Sequence, residues 1–312
     1  MAPHEKAVGE ETGLRLSDGR TLSYAEYGEP SGAPVLFFHG FPGSHKEAAL
    51  WHDSAVRHSV RLIAPDRPGI GFSSYQPERH FLDWPADISA FTSQLGLVGR
   101  DCRILAVAGG SPYALACLHE QSTTSKHDLP RFQGTAIVSG IYPLSLGSTG
   151  INLSTRITLC IVGYLWFLLI PLLDWLMGKP ARTDPELFKT RLLKEAEGRP
   201  FVDRKCLADN KEFADGFIES ARHSFAQDSR GAAYEAGLMG RAWGFDLQSI
   251  VGKNLTMWQG GFDNACPVPL ARRAQDKLTG SALKVFEYEG HLTIWARRQD
   301  VIWEALLDSD VR

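Results

Sequence analysis

Short apolar runs recur through the first 140 residues, each followed by a stretch of helical period, and this alternation constrains the fold more than any other feature. The runs are Val35-Leu36-Phe37-Phe38, Arg61–Ala64, Arg103–Val107 and Thr135–Ser139. Such runs, with no polar residue at every second position, suit strands buried on both faces. Glu47–His58, Asp83–Leu95 and Pro112–His119 carry helical spacing, and Pro112 stands in a first turn, where its missing N–H leaves no bond unmade. Strand and helix in turn predict parallel βαβ units in a doubly wound sheet. A hairpin precedes them, with Thr12–Ser17 and Thr21–Tyr27 around Asp18-Gly19-Arg20.

The alternation stops near Gly140. Residues 141–245 show helical periods and Pro or Gly breaks without a convincing strand. It resumes with the strand Leu255–Gln259, the helix Val268–Leu278, the strand Leu283–Tyr288 and a final helix Leu292–Leu307. Either strand-rich piece alone would leave an incomplete sheet. The expected organisation is therefore one α/β core from 1–140 and 246–312, with 141–245 inserted as a helical cap. At 312 residues the chain is long enough to bury a core without metal or disulfide support. A 44% apolar share with 22% charged residues excludes a disordered or collagen-like chain. The net charge of −3 gives no basic footprint for nucleic acid.

Cys102, Cys117, Cys160, Cys206 and Cys266 are odd in number and show no C-x-x-C spacing, as expected of reduced thiols. The opening MAPHEKAVGEE has no apolar segment of a secretory signal, and Asp310-Val311-Arg312 matches no retention or peroxisomal address. A cytoplasmic location is expected. Ile157–Leu173 carries no charge, but it sits at the low edge of the ~17–25 residues a membrane span requires and holds Pro171. A buried or lid helix is expected there, with no membrane span.

The strand Arg103–Val107 runs into Ala106-Val-Ala-Gly-Gly-Ser-Pro-Tyr-Ala-Leu-Ala116, a strand, a turn of small residues and an immediate helix. That is the pattern of a nucleophile elbow, which exposes a side chain on a tight turn flanked by small residues. With Ser111 as nucleophile, the next residue would be Pro112, which has no N–H for an oxyanion, and the small position two beyond would be Tyr113. With Ala108 in that place every flanking position is small and Gly109 supplies the N–H. The second register fits the geometry and lacks only a nucleophilic atom.

With these residues in view, the sequence resembles the α/β-hydrolase superfamily outside the cap. His39-Gly40-Phe41-Pro42-Gly43-Ser44 resembles its HG-x-P-G oxyanion loop, and Asp66-Arg-Pro-Gly-Ile-Gly-Phe-Ser73 its D-x-x-G-x-G-x-S segment. Gln259-Gly-Gly-Phe-Asp-Asn-Ala-Cys-Pro-Val268 resembles the acid loop, so Asp263 matches the acid. Glu289-Gly-His-Leu292 follows the last strand, so His291 matches the base. The implied fold is a mostly parallel central sheet flanked by helices, with an inserted helical cap.

The roles implied are those of a Ser-His-Asp hydrolase. His291 takes and returns the proton, Asp263 fixes its tautomer, and the N–H groups of Phe41 and Gly109 stabilise the oxyanion. His39 is expected to brace its loop and is also counted, with Trp166, Phe167 and Trp175, among residues contacting substrate. Asp66 and Arg67 are expected to hold their turn. No metal is expected, since the ten histidines show no H-E-x-x-H or comparable spacing. No nucleotide cofactor is expected either, because the chain has no G-x-G-x-x-G after its first strand and no P-loop.

The implied function is hydrolysis of a hydrophobic carboxylic ester or lactone, in a chain whose nucleophile position holds Ala108 as an inactivated, ligand-trapping variant. The alternatives are a ligand-binding pseudoenzyme and a lyase or cyclase that uses His291 and the oxyanion hole. The expected partners are a hydrophobic small molecule and, through the apolar cap, a second copy of the chain. Fold alone does not choose among these functions.

Overall fold

The computed structural model describes residues 7–123, 126–147, 153–252 and 254–308, without the side chains of 153–160. Eight strands form its sheet: β1 Thr12–Arg15, β2 Thr21–Gly28, β3 Ala33–Phe38, β4 Val60–Pro65, β5 Asp101–Val107, β6 Arg131–Val138, β7 Leu255–Gly260 and β8 Ala282–Phe286. Their spatial order is β1-β2-β4-β3-β5-β6-β7-β8. β1 and β2 are antiparallel, as are β2 and β4, and all other neighbours are parallel. This is the α/β-hydrolase fold.

The helices are α1 His52–Arg57, α2 Trp84–Gln94, α3 Ser111–Thr123, α4 Leu153–Leu173, α5 Lys179–Thr183, α6 Pro185–Ala196, α7 Phe201–Asp209, α8 Lys211–His223, α9 Arg230–Met239, α10 Val268–Lys277, α11 His291–Arg297 and α12 Gln299–Leu307. The segment read as one helix over Glu47–His58 is a 3₁₀ stretch, His45–Trp51, continued by α1. The expected last helix is two, α11 and α12, with a break at Arg298.

Alternation along the central strands builds two cores. Leu36, Phe38, Ile104, Ala106 and Ile137 face one apolar layer, and Val35, Phe37, Leu105, Val107, Ala136 and Val138 face the other. Helices cover both faces, which is why these runs are apolar at every position. Each Val, Leu, Ile or Phe among them contributes ~1.5–3 kcal/mol by leaving water. Because β3, β5, β6, β7 and β8 are parallel, the chain leaves all five at one edge of the sheet. The loops after Phe38, Val107, Gly260 and Phe286 carry the residues singled out in the sequence, so the topology gathers them there.

Between β6 and β7 the described residues form helices α4–α9 and no strand. The apolar run Ile157–Leu173 falls in α4, and its side chains through Cys160 lie outside the described residues. From Ile161 to Leu173 only Val162 and Gly163 are buried, so of the two readings, a buried or a lid helix, the first does not hold for these residues. Tyr164, Phe167, Leu168 and Leu172 are half or more exposed. The helical stretch Ile161–Thr183 is long and apolar enough to cross a membrane by length and composition. Contact with the rest of the chain is confined to one face. Gly163 packs so closely on Gly240 that a Cβ there would stand 2.8 Å from its carbonyl oxygen, and Trp166 stacks edge-on against Tyr234 at 4.6 Å.

Candidate active site

Strand β5 ends at Val107, and Ala108–Gly110 form a single 3₁₀ turn before α3 starts at Ser111. Ala108 has φ +43°. A left-handed conformation at a non-glycine residue costs ~1–3 kcal/mol and persists where the surroundings impose it. The surroundings here are tight. A Cβ on Gly110 would stand 2.1 Å from the carbonyl oxygen of Phe38, and one on Gly109 would stand 2.6 Å from the Phe41 Cβ. The small residues of the motif are thus a steric requirement of the turn.

Ser111 is fully buried and its hydroxyl is committed to the backbone. It lies 2.8 Å from the carbonyl oxygen of Ala108 and 2.7 Å from that of Ile141, and it accepts from the Ile141 N–H at 2.8 Å. The side chain ties the start of α3 to the loop after β6.

The loop after β3 lies beside the elbow. The Phe41 nitrogen would be 3.1 Å from a Cβ on Gly109, so the two N–H groups named in the sequence belong to neighbouring backbone. Behind the loop, the Arg67 guanidinium donates to the carbonyls of His39 and Gly40 and pairs with Glu235 of α9. Arg67 and Glu235 are both fully buried. Burial alone would raise the Glu235 carboxyl, but the charges of Arg67 and Arg79 outweigh it and hold it below its usual range. Glu47 accepts from the Gly40 N–H at 2.8 Å, and burial pushes its carboxyl up to about 8.

His39 does not reach the surface. It is fully buried, with Nδ1 3.0 Å from the Gly40 carbonyl and Nε2 accepting from the Arg67 N–H at 3.4 Å. Burial and the Arg67 charge lower its pKa to about 3, so the ring stays neutral. It braces the loop, and the expectation that it contacts substrate is corrected.

The loop after β7 carries Asp263, and α11 opens with His291. Asp263 Oδ2 is 2.8 Å from His291 Nδ1, which leaves Nε2 as the nitrogen for proton transfer. Asp263 Oδ1 accepts from the N–H groups of Ala265 and Cys266, and Oδ2 also accepts from Gln259 Nε2 at 2.9 Å. Both residues are buried, at 4% and 6% exposure, so their contact is shielded from bulk water.

One residue missed in the sequence supports this pair. Asp203, from α7, is fully buried against the first turn of α11 and accepts from its backbone. A Cβ on Gly290 would stand 2.4 Å from the Asp203 carboxylate, which accounts for glycine before His291. The capping residue lies far from its helix in the chain, so local capping rules could not find it.

The aromatic residues named as substrate contacts divide. Trp166 lies against Tyr234 and within 3.0 Å of where a Gly237 side chain would begin. Phe167 is 51% and Trp175 62% exposed, and Trp175 stacks under Arg191 at 5.5 Å. Met239 of α9 reaches toward Gly109, its methyl 2.9 Å from the position of a Cβ there. It is closer to the elbow than the sequence reading recognised.

Residues 35–305 match the model of the alpha/beta hydrolase family, and the chain belongs to that family. Over 90 residues it is 37% identical to a non-heme chloroperoxidase from Streptomyces lividans, a stretch that covers 28% of this chain and 32% of that protein. The match thus spans about a third of the curated relatives' length. Among solved structures, an esterase from Thermogutta terrifontis is similar with a TM-score of 0.66 at 18% identity, over 96% of this chain and 99% of that one. A bromoperoxidase from Bacillus anthracis is similar with a TM-score of 0.66 at 16% identity, over 97% and 100%. At these identities the likeness to the solved structures is one of fold.

Proposed function

We propose that this chain carries the acid, base and oxyanion donors of a serine hydrolase for a hydrophobic carboxylic ester or lactone, with Ala108 at the nucleophile's place. The observation that carries the reading is the conformation of Ala108. A left-handed alanine between β5 and α3, followed by two glycines with no room for a Cβ beside Phe41, has the backbone form of a nucleophile elbow. The Asp263–His291 contact supports the same reading, since a carboxylate on Nδ1 makes Nε2 a base for an adjacent hydroxyl.

Ala108 has no atom to attack a carbonyl. The chain as it stands binds an ester or lactone and does not acylate, and helices α4–α9 act as a cap whose apolar residues select the ligand. The test is Ala108→Ser. It should create activity on p-nitrophenyl esters and labelling by a fluorophosphonate at residue 108. Labelling at Ser111, or of the unaltered chain, would overturn the assignment. If the variant folds but neither hydrolyses esters nor reacts, a ligand-binding protein without hydrolytic machinery is the better reading.

A further inference from the structure

Away from the candidate active site, three residues remote in sequence meet at the seam between sheet and inserted helices. Glu11 comes from the segment before β1, His45 from the turn after the oxyanion loop, and His223 from the last turn of α8. Their ligand atoms lie within 4.8 Å of one another. Glu11 Oε2 and His223 Nε2 are already 3.1 Å apart, near the ~3.3 Å edge of a tetrahedron with bonds of ~2.0–2.1 Å.

The cluster carries polar atoms without partners. His45 is fully buried and its Nε2 makes no hydrogen bond, nor do His223 Nδ1 and Glu11 Oε1. Each buried orphan costs ~1–3 kcal/mol, and an ion held by His45 Nε2, His223 Nε2 and the Glu11 carboxylate would relieve those on His45 and Glu11, though not the one on His223 Nδ1.

The support behind His45 suits metal binding. Its Nδ1 is 2.7 Å from Asp66 Oδ2, and Asp66 is fixed in turn by the Ser23 hydroxyl at 2.9 Å and the His45 N–H at 2.5 Å. A carboxylate on Nδ1 sets the tautomer and presents the lone pair of Nε2, the usual arrangement behind a histidine ligand. Gly71 leaves room for it, since a Cβ there would stand 2.1 Å from Asp66 and 2.8 Å from the His223 ring. A cavity of about 380 Å³ lined by Glu11, Phe72 and His223 gives access from solvent. Of the cations on its wall, Lys46 and Arg222 share the Glu219 carboxylate and Arg182 pairs with Asp174, which leaves one positive charge uncompensated there.

We propose that Glu11, His45 and His223 bind a divalent transition-metal ion of the zinc class, with Asp66 orienting His45 and the remaining position open to the cavity. Two imidazoles favour zinc over magnesium or calcium, which take oxygen ligands. Closing the set requires a shift of about an ångström, within reach of the partly exposed Glu11 side chain. The bound ion would fasten α8 to the core. Asp263, Cys266 and His291 form the other such cluster among the described residues. It suits a metal less, because burial holds the Cys266 thiol far above its usual pKa and Asp263 and His291 already engage each other.

The test uses the full chain, stripped with a chelator and titrated with zinc chloride. Expected are one zinc retained per chain through gel filtration, a zinc-dependent rise in Tm, and visible d–d absorption when cobalt(II) is used instead. Affinity should fall at least ~100-fold in the double variant His45→Gln/His223→Gln, more than the ~10–100-fold typical of losing an orienting residue such as Asp66. Glu11→Gln, at a partly exposed position, should weaken binding without unfolding the chain. Failure of the unaltered chain to retain zinc or to give the cobalt spectrum would overturn the proposal. So would zinc retained undiminished by the double variant, or retention abolished instead by Cys266→Ser, which would assign the metal to the other cluster.

Discussion

The Asp203 carboxylate accepts a hydrogen bond from the backbone N–H of His291 at 2.9 Å, so a residue of the inserted helices holds the base at the head of its own helix. The N–H groups of Leu292 and Thr293 donate to the same carboxylate at 2.9 and 3.0 Å. Asp203→Ala leaves these donors buried without a partner. It should cost ~1–3 kcal/mol in denaturant unfolding. In the Ala108→Ser background it should lower kcat more than it raises KM, since it moves the base rather than the pocket. A loss below ~0.5 kcal/mol would place Asp203 among ordinary surface substitutions and refute its capping role.

His291 and Asp263 differ in what their loss removes. In the Ala108→Ser background, His291→Ala should abolish most of the rate, because it removes the base assigned to take the hydroxyl proton. Asp263→Asn should cost up to ~10⁴ in kcat, since the amide can hold the opposite tautomer. Steady-state kinetics on one ester measures both, and near-full kcat in either variant would contradict the assignment.

Glu47 gives stability a pH dependence of unusual sign. Burial raises its carboxyl from 4.5 to about 8, so between these values the folded chain holds a proton that the unfolded chain has released. Stability from this group is present below pH 4.5 and is lost as pH rises to about 8. The lowered carboxyls of Asp66 and Glu235 act the other way below that window, and His39, lowered from 6.5 to about 3, acts the other way within its lower part, so the Glu47 contribution is read as the difference between the two proteins. Glu47→Gln keeps an acceptor for the Gly40 N–H and should lose stability less steeply, or gain it more steeply, with rising pH than the unaltered chain. Urea denaturation of both proteins across pH 5 to 8 checks it.

Trp166 and Trp175 should not behave alike. Trp166 joins α4 to α9 near the Met239 end, so Trp166→Ala should cost ~1–3 kcal/mol and, in the Ala108→Ser background, change KM more for bulky apolar esters than for acetates. Trp175 is mostly exposed, and Trp175→Ala should alter stability by less than ~0.5 kcal/mol. Equal effects on bulky and small esters from Trp166→Ala would remove α4 from ligand selection.

The sheet was legible because its signal is local. Val35–Phe38 and Ile104–Val107 are apolar at every position because both faces are covered, and the glycines after Ala108 announce a turn with no room for side chains. The strand order in the chain then places Asp263 and His291 in loops at the same edge. By itself the sequence therefore determined the parallel architecture and the identity of the residues that meet there. It also determined that α4 would be apolar, but not which way it would face. Exposure depends on what packs against a helix, and only Gly163 against Gly240 and Trp166 against Tyr234 reveal how narrow its contact is. The tertiary structure alone brought Asp203 under His291 and gathered Glu11, His45 and His223 around one point. The physical reason is the same in both cases. Hydrogen bonds and metal ligands act over a few ångströms in space, and residues separated by long stretches of chain carry no mark in the sequence that they will share that space.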